Sequence, residues 1–165
     1  GLELDARKAW HEPSAEGLWI PVYGLMNRQK LAETGLVGSY IASDTVLIEE
    51  LLMYGSFIEI EKVLFYKRDH PKRSTRECEN YDKRIEWFTG KKNSGRLLFP
   101  AWRLLRGRLA AISGAPLSPA ERLACCGEMI SYYVRCRHEG GKALIKEIVI
   151  NGLRLVGGAR IAARF

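Results

Sequence analysis

Gly38-Ser-Tyr-Ile-Ala-Ser-Asp-Thr-Val-Leu-Ile-Glu-Glu-Leu-Leu-Met-Tyr-Gly55 is a Gly/Ser loop that runs straight into an apolar helical pattern. Leu47, Ile48, Leu51 and Leu52 recur at helical spacing, which predicts a helix over 45–54 with Glu49 and Glu50 pointing away from the packed side. Gly55 is its natural stop. Upstream, 27–33 reads as a short helix with Asn27 as N-cap and Thr34-Gly35 as its end. Gly17-Leu-Trp-Ile-Pro-Val-Tyr-Gly24 is apolar and aromatic but interrupted by Pro21, which removes a ladder donor. It is expected to be an edge strand or an extended loop lining a cleft. The polar residues before it read as a connecting segment. Downstream, 57–60 and 63–66 read as two short strands around Glu61-Lys62.

Beyond a charged stretch over 75–94 and a Gly/Lys/Asn surface loop at 90–95, the period becomes helical. A helix is predicted over 100–112, with Trp102, Leu105 and Leu109 on one side and Arg103, Arg106 and Arg108 toward solvent. Ser118-Pro-Ala-Glu121 is a capping box with Pro at the first helical position, opening a helix to about residue 138. A last helix is expected over 142–156. The chain thus divides at about residue 95, with some three helices in 96–165.

At 165 residues, 47% hydrophobic and 27% charged, the chain can bury a core and is not a disordered polymer. No run approaches the ~18 uncharged apolar residues of a spanning helix. The net charge of +7 is uneven. Residues 1–70 hold 7 Lys/Arg against 11 Asp/Glu, a balance of −4, whereas 71–165 hold 19 against 8, a balance of +11. That basic half calls for an anionic partner. Of the four cysteines, Cys125 and Cys126 are adjacent within a helical pattern, the usage of reduced thiols in a cytoplasmic protein. A zinc site with Cys136 and His138 fails on geometry, because one helix would separate the two groups by roughly 16 Å.

Two side chains stand out chemically. Asp44 lies at the mouth of a helix, where the dipole favours a carboxylate that can serve as a base. His70 follows an extended run and precedes Pro71, with Arg68, Lys72, Arg73 and Ser74 around it as phosphate-binding chemistry. On residue type alone each has a plainer reading, as a helix cap and as a solvated histidine.

In order, Val22-Tyr-Gly-Leu-Met26, 31–38, Ser43-Asp-Thr-Val-Leu-Ile-Glu-Glu-Leu51 and Val63-Leu-Phe-Tyr-Lys-Arg-Asp-His-Pro-Lys-Arg-Ser74 resemble the second half of bacterial family 2 glycosyltransferases. Arg96-Leu-Leu-Phe-Pro-Ala-Trp102 and Leu117-Ser-Pro-Ala-Glu-Arg122 resemble the helical tail that often follows. The likeness covers about 17–138. It implies an α/β fold, a partial GT-A (nucleotide-diphospho-sugar transferase-like) unit over 1–95, then an α-helical extension over 96–165. It implies inverting transfer from a nucleotide-sugar donor to a sugar or lipid-linked acceptor in bacterial polysaccharide biosynthesis, with Mn²⁺ or Mg²⁺ as cofactor. Asp44 matches the family's base and His70 its late metal- or diphosphate-contacting histidine. Arg68, Arg73 and Ser74 would hold the donor diphosphate, and Trp19 and Tyr23 would line the acceptor side. The chain contains no Asp-x-Asp metal motif, so it is expected to be the acceptor-side half of such an enzyme, inactive alone and open to self-association through an exposed sheet edge.

A binding module without catalysis is the alternative, and a membrane-surface role is compatible with either reading. Trp87, Phe88, Trp102, Tyr132 and Tyr133, interleaved with basic residues, could hold nucleic acid, although no recognition signature accompanies them. Residues 142–165 form an apolar, sparsely basic stretch suited to an anionic membrane surface, which would make the protein peripheral at the inner face of the membrane.

Overall fold

A computed structural model describes residues 3–4, 20–58, 60–66, 81–90, 97–135 and 140–157. The helices are α1 (Arg28–Glu33), α2 (Ser43–Leu52), α3 (Tyr81–Thr89), α4 (Pro100–Gly114), α5 (Pro119–Arg135) and α6 (Gly141–Gly157). Ile20–Tyr23 is a single 3₁₀ turn.

The α2 helix organises the rest. Eight of its ten residues are buried, so it has almost no solvent face, and Glu49 and Glu50 are carried inside with the aliphatic residues. On one side Val46 and Met53 pack with Ala111 and Ile112 of α4 and with Met129, Tyr132 and Tyr133 of α5. On another, Leu47, Ile48, Leu51 and Leu52 pack with Val22 and Met26 near the 3₁₀ turn, Leu31 of α1 and Phe57. The residues before and after position 95 therefore share one core.

Several helix boundaries follow from local chemistry. The Asn27 side chain accepts hydrogen bonds from the amides of Gln29 and Lys30 at 2.9 and 3.2 Å, an N-cap for α1. At α5, the Ser118 amide donates to Glu121 Oε2 (2.8 Å) and the Glu121 amide to Ser118 Oγ (3.3 Å), closing the expected capping box.

The expected α/β architecture is overturned. The one strand pairing among the described residues joins β1 (Glu3–Leu4) to β2 (Phe57–Ile58), antiparallel and two residues long. Residues 63–66 join no ladder, and Val63, Leu64 and Tyr66 stand exposed. Their β-branched and aromatic composition favours a strand, but a strand exists only where another supplies its hydrogen bonds. The run containing Pro21 is likewise a 3₁₀ turn over 20–23 rather than an edge strand. The GT-A reading of residues 1–95 falls with the sheet, because helices dominate the described residues.

Candidate functional site

Asp44 sits in the first turn of α2, half-buried. The approach to it is unusual. Ala42, at the N-cap position, has φ 62° in the left-handed region and offers no side-chain cap. The fully buried Ser43 hydroxyl donates to the Gly38 carbonyl at 2.6 Å, which ties the loop back on itself. Asp44 is therefore not the N-cap. Its Oδ1 accepts the amide of Thr45 at 2.9 Å, and among the described residues Oδ2 has no hydrogen-bond donor.

Beneath it lies a buried polar network that composition did not reveal. Arg108 of α4 donates from Nη2 to Glu49 Oε1 at 2.8 Å and from Nε to Glu49 Oε2 at 3.0 Å, with both side chains 3% exposed. Its third nitrogen, Nη1, donates to the Tyr133 hydroxyl at 3.2 Å. Burial alone would lower the Arg108 pKa, but the Glu49 carboxylate and then the Tyr133 hydroxyl outweigh it and hold the guanidinium above its ordinary range. Glu50, also buried, accepts the Gly35 amide on both oxygens, at 3.2 and 3.1 Å. Burial raises its pKa above the usual carboxylate range, and the Gly35 amide opposes that shift in part.

Tyr40 connects this network to the surface. Its ring lies against Gly38 and its hydroxyl against Gly107 of α4, so close that a Cβ at either glycine would collide with it. Burial first, and the Glu49 carboxylate second, raise its phenol pKa. The outer side of Tyr40 lines a cavity of about 660 Å³ between the 39–41 loop, α3 and the start of α4. Phe88, Phe99 and Trp102 give it aromatic walls, and Arg103 and Arg106 give it positive charge. The Arg103 guanidinium stands 5.5 Å from the Tyr40 ring centroid.

Of the sequence-predicted site residues, Asp44 and Tyr23 are described. Tyr23 is 63% exposed and stacks on Phe65, with ring centroids 4.7 Å apart. Trp19, Arg68, His70, Arg73 and Ser74 lie outside the described residues, as do Cys136 and His138. Cys125 is buried in the core and Cys126 packs against it. Among the described residues no group of three or more His, Cys, Asp and Glu is arranged to hold a metal ion. Of the five aromatics considered for nucleic acid, Tyr132 and Tyr133 are core residues, while Trp87 is exposed. The cavity residues Tyr40, Arg103 and Arg106 belong to no motif of the sequence. Their signal is the Gly-Ser-Tyr loop before α2 and the i, i+3 arginine pair on α4. No protein-family model, curated protein or solved structure matches this chain.

Proposed function

We propose that this chain is the acceptor-side part of a nucleotide-sugar-dependent glycosyltransferase. The observation that carries the reading is the half-buried Asp44 carboxylate in the first turn of α2, with one oxygen oriented by the Thr45 amide and the other left without a donor among the described residues. A carboxylate so placed can accept the proton of an acceptor hydroxyl while that oxygen attacks the anomeric carbon. The new C–O bond forms as the bond to the nucleoside diphosphate breaks, and the diphosphate leaves with the electron pair.

The cavity beside the same loop supports an acceptor of sugar or lipid-linked type. Tyr40 and Trp102 offer ring faces for a sugar or an apolar group, and Arg103 and Arg106 offer charge for a phosphate. The donor-side roles of Arg68, His70, Arg73 and Ser74, and the divalent cation with them, rest on the ordered sequence resemblance, and no step is routed through them. The reading does not depend on a GT-A sheet within these residues.

The test is release of nucleoside diphosphate from a panel of nucleotide sugars, with Mn²⁺ or Mg²⁺ and sugar or lipid-linked acceptors, by the natural protein that carries this chain. Asp44→Asn is expected to lower turnover about 10²–10⁴-fold while nucleotide affinity is kept. Unchanged turnover in that variant would remove Asp44 as the base, and no release from any donor would remove the transferase reading.

A further inference from the structure

We propose that α6 is a docking face for an anionic lipid bilayer, lying on the surface with its axis in the membrane plane. Its two most buried residues are polar, Glu147 and Asn151, 7% and 3% exposed. Beside them the partly buried Leu144 packs against the core. The residues it turns outward include Ile145, Ile148 and Val149, which are 64%, 52% and 51% exposed.

The inward side is held by hydrogen bonds to the start of α4. The Ala101 and Trp102 amides donate to the two Glu147 oxygens, at 2.7 and 3.3 Å. Asn151 exchanges two bonds with Leu98, accepting its amide at 3.3 Å and donating to its carbonyl at 2.7 Å. α4 needs such partners, because its N-cap Phe99 offers no side-chain acceptor. These bonds fix the roll of α6, so its apolar stripe cannot turn inward without stripping the first turn of α4.

Charge selects the occupant. Glu147 is the only acidic residue in α6, and it is buried, so the exposed charges flanking the stripe are Lys142 and Lys146. The surface continues past Lys142 into an apolar groove of about 400 Å³ between α4, α5 and α6, where Val134 is 80% exposed. A second copy packed on the same face would bring no acidic side chain of α6 to these lysines, because Glu147 is buried. An anionic head-group layer takes the lysines at its surface and the isoleucines at the acyl boundary. No described helix is long and apolar enough to cross a membrane, which fits a helix that lies on one.

The experiment is co-sedimentation of the whole chain with phosphatidylcholine vesicles, with and without phosphatidylglycerol. Binding is expected to the anionic vesicles and to weaken with salt. Ile148→Asp with Val149→Asp should lower the partition at least about tenfold. Lys142→Ala with Lys146→Ala should lower it about fivefold per lysine. Both pairs lie on the surface, and unchanged circular dichroism and Tm would show that the fold survives. The proposal is overturned by no binding to anionic vesicles, by equal binding to neutral ones, or by undiminished binding of the Ile148/Val149 variant. It is also overturned if sedimentation velocity reveals self-association that this variant abolishes, because the face would then be a protein interface.

Discussion

Arg108 grips Glu49 with two parallel N–H···O bonds of 2.8 and 3.0 Å, 59 residues apart in sequence and almost completely buried. This fork joins the helix that carries Asp44 to the first of the three C-terminal helices, the Tyr133 hydroxyl accepts from the third nitrogen, and the Tyr132 and Tyr133 ring centroids lie 5.1 and 5.5 Å from the guanidinium carbon. A bidentate pair fixes angle as well as distance. It therefore sets the rotation of α2, and with it the direction in which Asp44 points, more tightly than aliphatic packing would.

Removing one partner should cost far more than removing both. Arg108→Met takes the bidentate partner from a buried carboxylate and is expected to cost about 3–5 kcal/mol. Glu49→Leu strands the guanidinium and should cost a similar amount. The double variant is expected to recover most of that loss, because no unpaired charge remains. Urea denaturation of the four proteins in a double-mutant cycle measures the coupling. Additive losses would mean that the pair does not act as a unit.

Two glycine substitutions should have opposite signs. Gly107 lies inside α4, where alanine would ordinarily stabilise, but its Cβ would strike the Tyr40 hydroxyl. Gly107→Ala is therefore expected to destabilise by about 1–3 kcal/mol. Gly127 lies inside α5 with nothing within 4 Å of a Cβ. Gly127→Ala is expected to stabilise by about 0.5–1 kcal/mol. Thermal melts of the two variants decide it, and a gain from Gly107→Ala would show that Tyr40 is not wedged against α4.

What local chemistry determines was legible in the sequence. Asn27 and the Ser118–Glu121 box needed only neighbours within three residues, and both cap their helices. The sheet was not legible, because pairing of 57–66 depends on a distant partner, and among the described residues of that stretch only Phe57 and Ile58 find one. For charged residues the helical period, and not residue type, marks what is buried. Glu49 and Glu50 stand three and four residues after the buried Val46, and Arg108 stands four before the buried Ile112. Each sits on a buried stripe, a signal overridden by the habit of placing charge in solvent. The sequence places Asp44 at a helix mouth, and it lies in the first turn of α2. The Tyr40 cavity is not legible locally, because Ile85, Phe88 and Thr89 of α3, distant in sequence, supply one of its walls.

Glu50 should make stability depend on pH in the direction opposite to a salt-bridged acid. Its folded pKa is raised by burial, so the native state holds its proton more tightly than the unfolded chain does. Its contribution is then full below the unfolded carboxylate pKa and is lost as pH rises through the folded one. Glu50→Gln keeps an oxygen for the Gly35 amide and cannot ionise. Relative to wild type it should fare better at neutral pH than at pH values below the ordinary carboxylate range. Denaturation curves at the two pH values test this, and a difference of the opposite sign would mean that the Gly35 amide outweighs desolvation.

Glu147 offers the sharpest test of how the C-terminal helix is held. Its two oxygens serve the amides of Ala101 and Trp102, which have no earlier carbonyl of α4 to bond. Glu147→Ala leaves both donors without that partner and should cost about 1–3 kcal/mol, whereas Glu147→Gln, which keeps one acceptor oxygen, should cost less. Hydrogen exchange locates the effect, because the Ala101 and Trp102 amides should lose protection in the alanine variant while the amides of α2 keep theirs. The Trp102 indole, which donates to the Leu144 carbonyl at 3.1 Å, should shift its emission to the red as α6 loosens. Unchanged protection at both amides would mean that apolar contacts through Leu144 hold α6, leaving Glu147 buried for no gain in orientation.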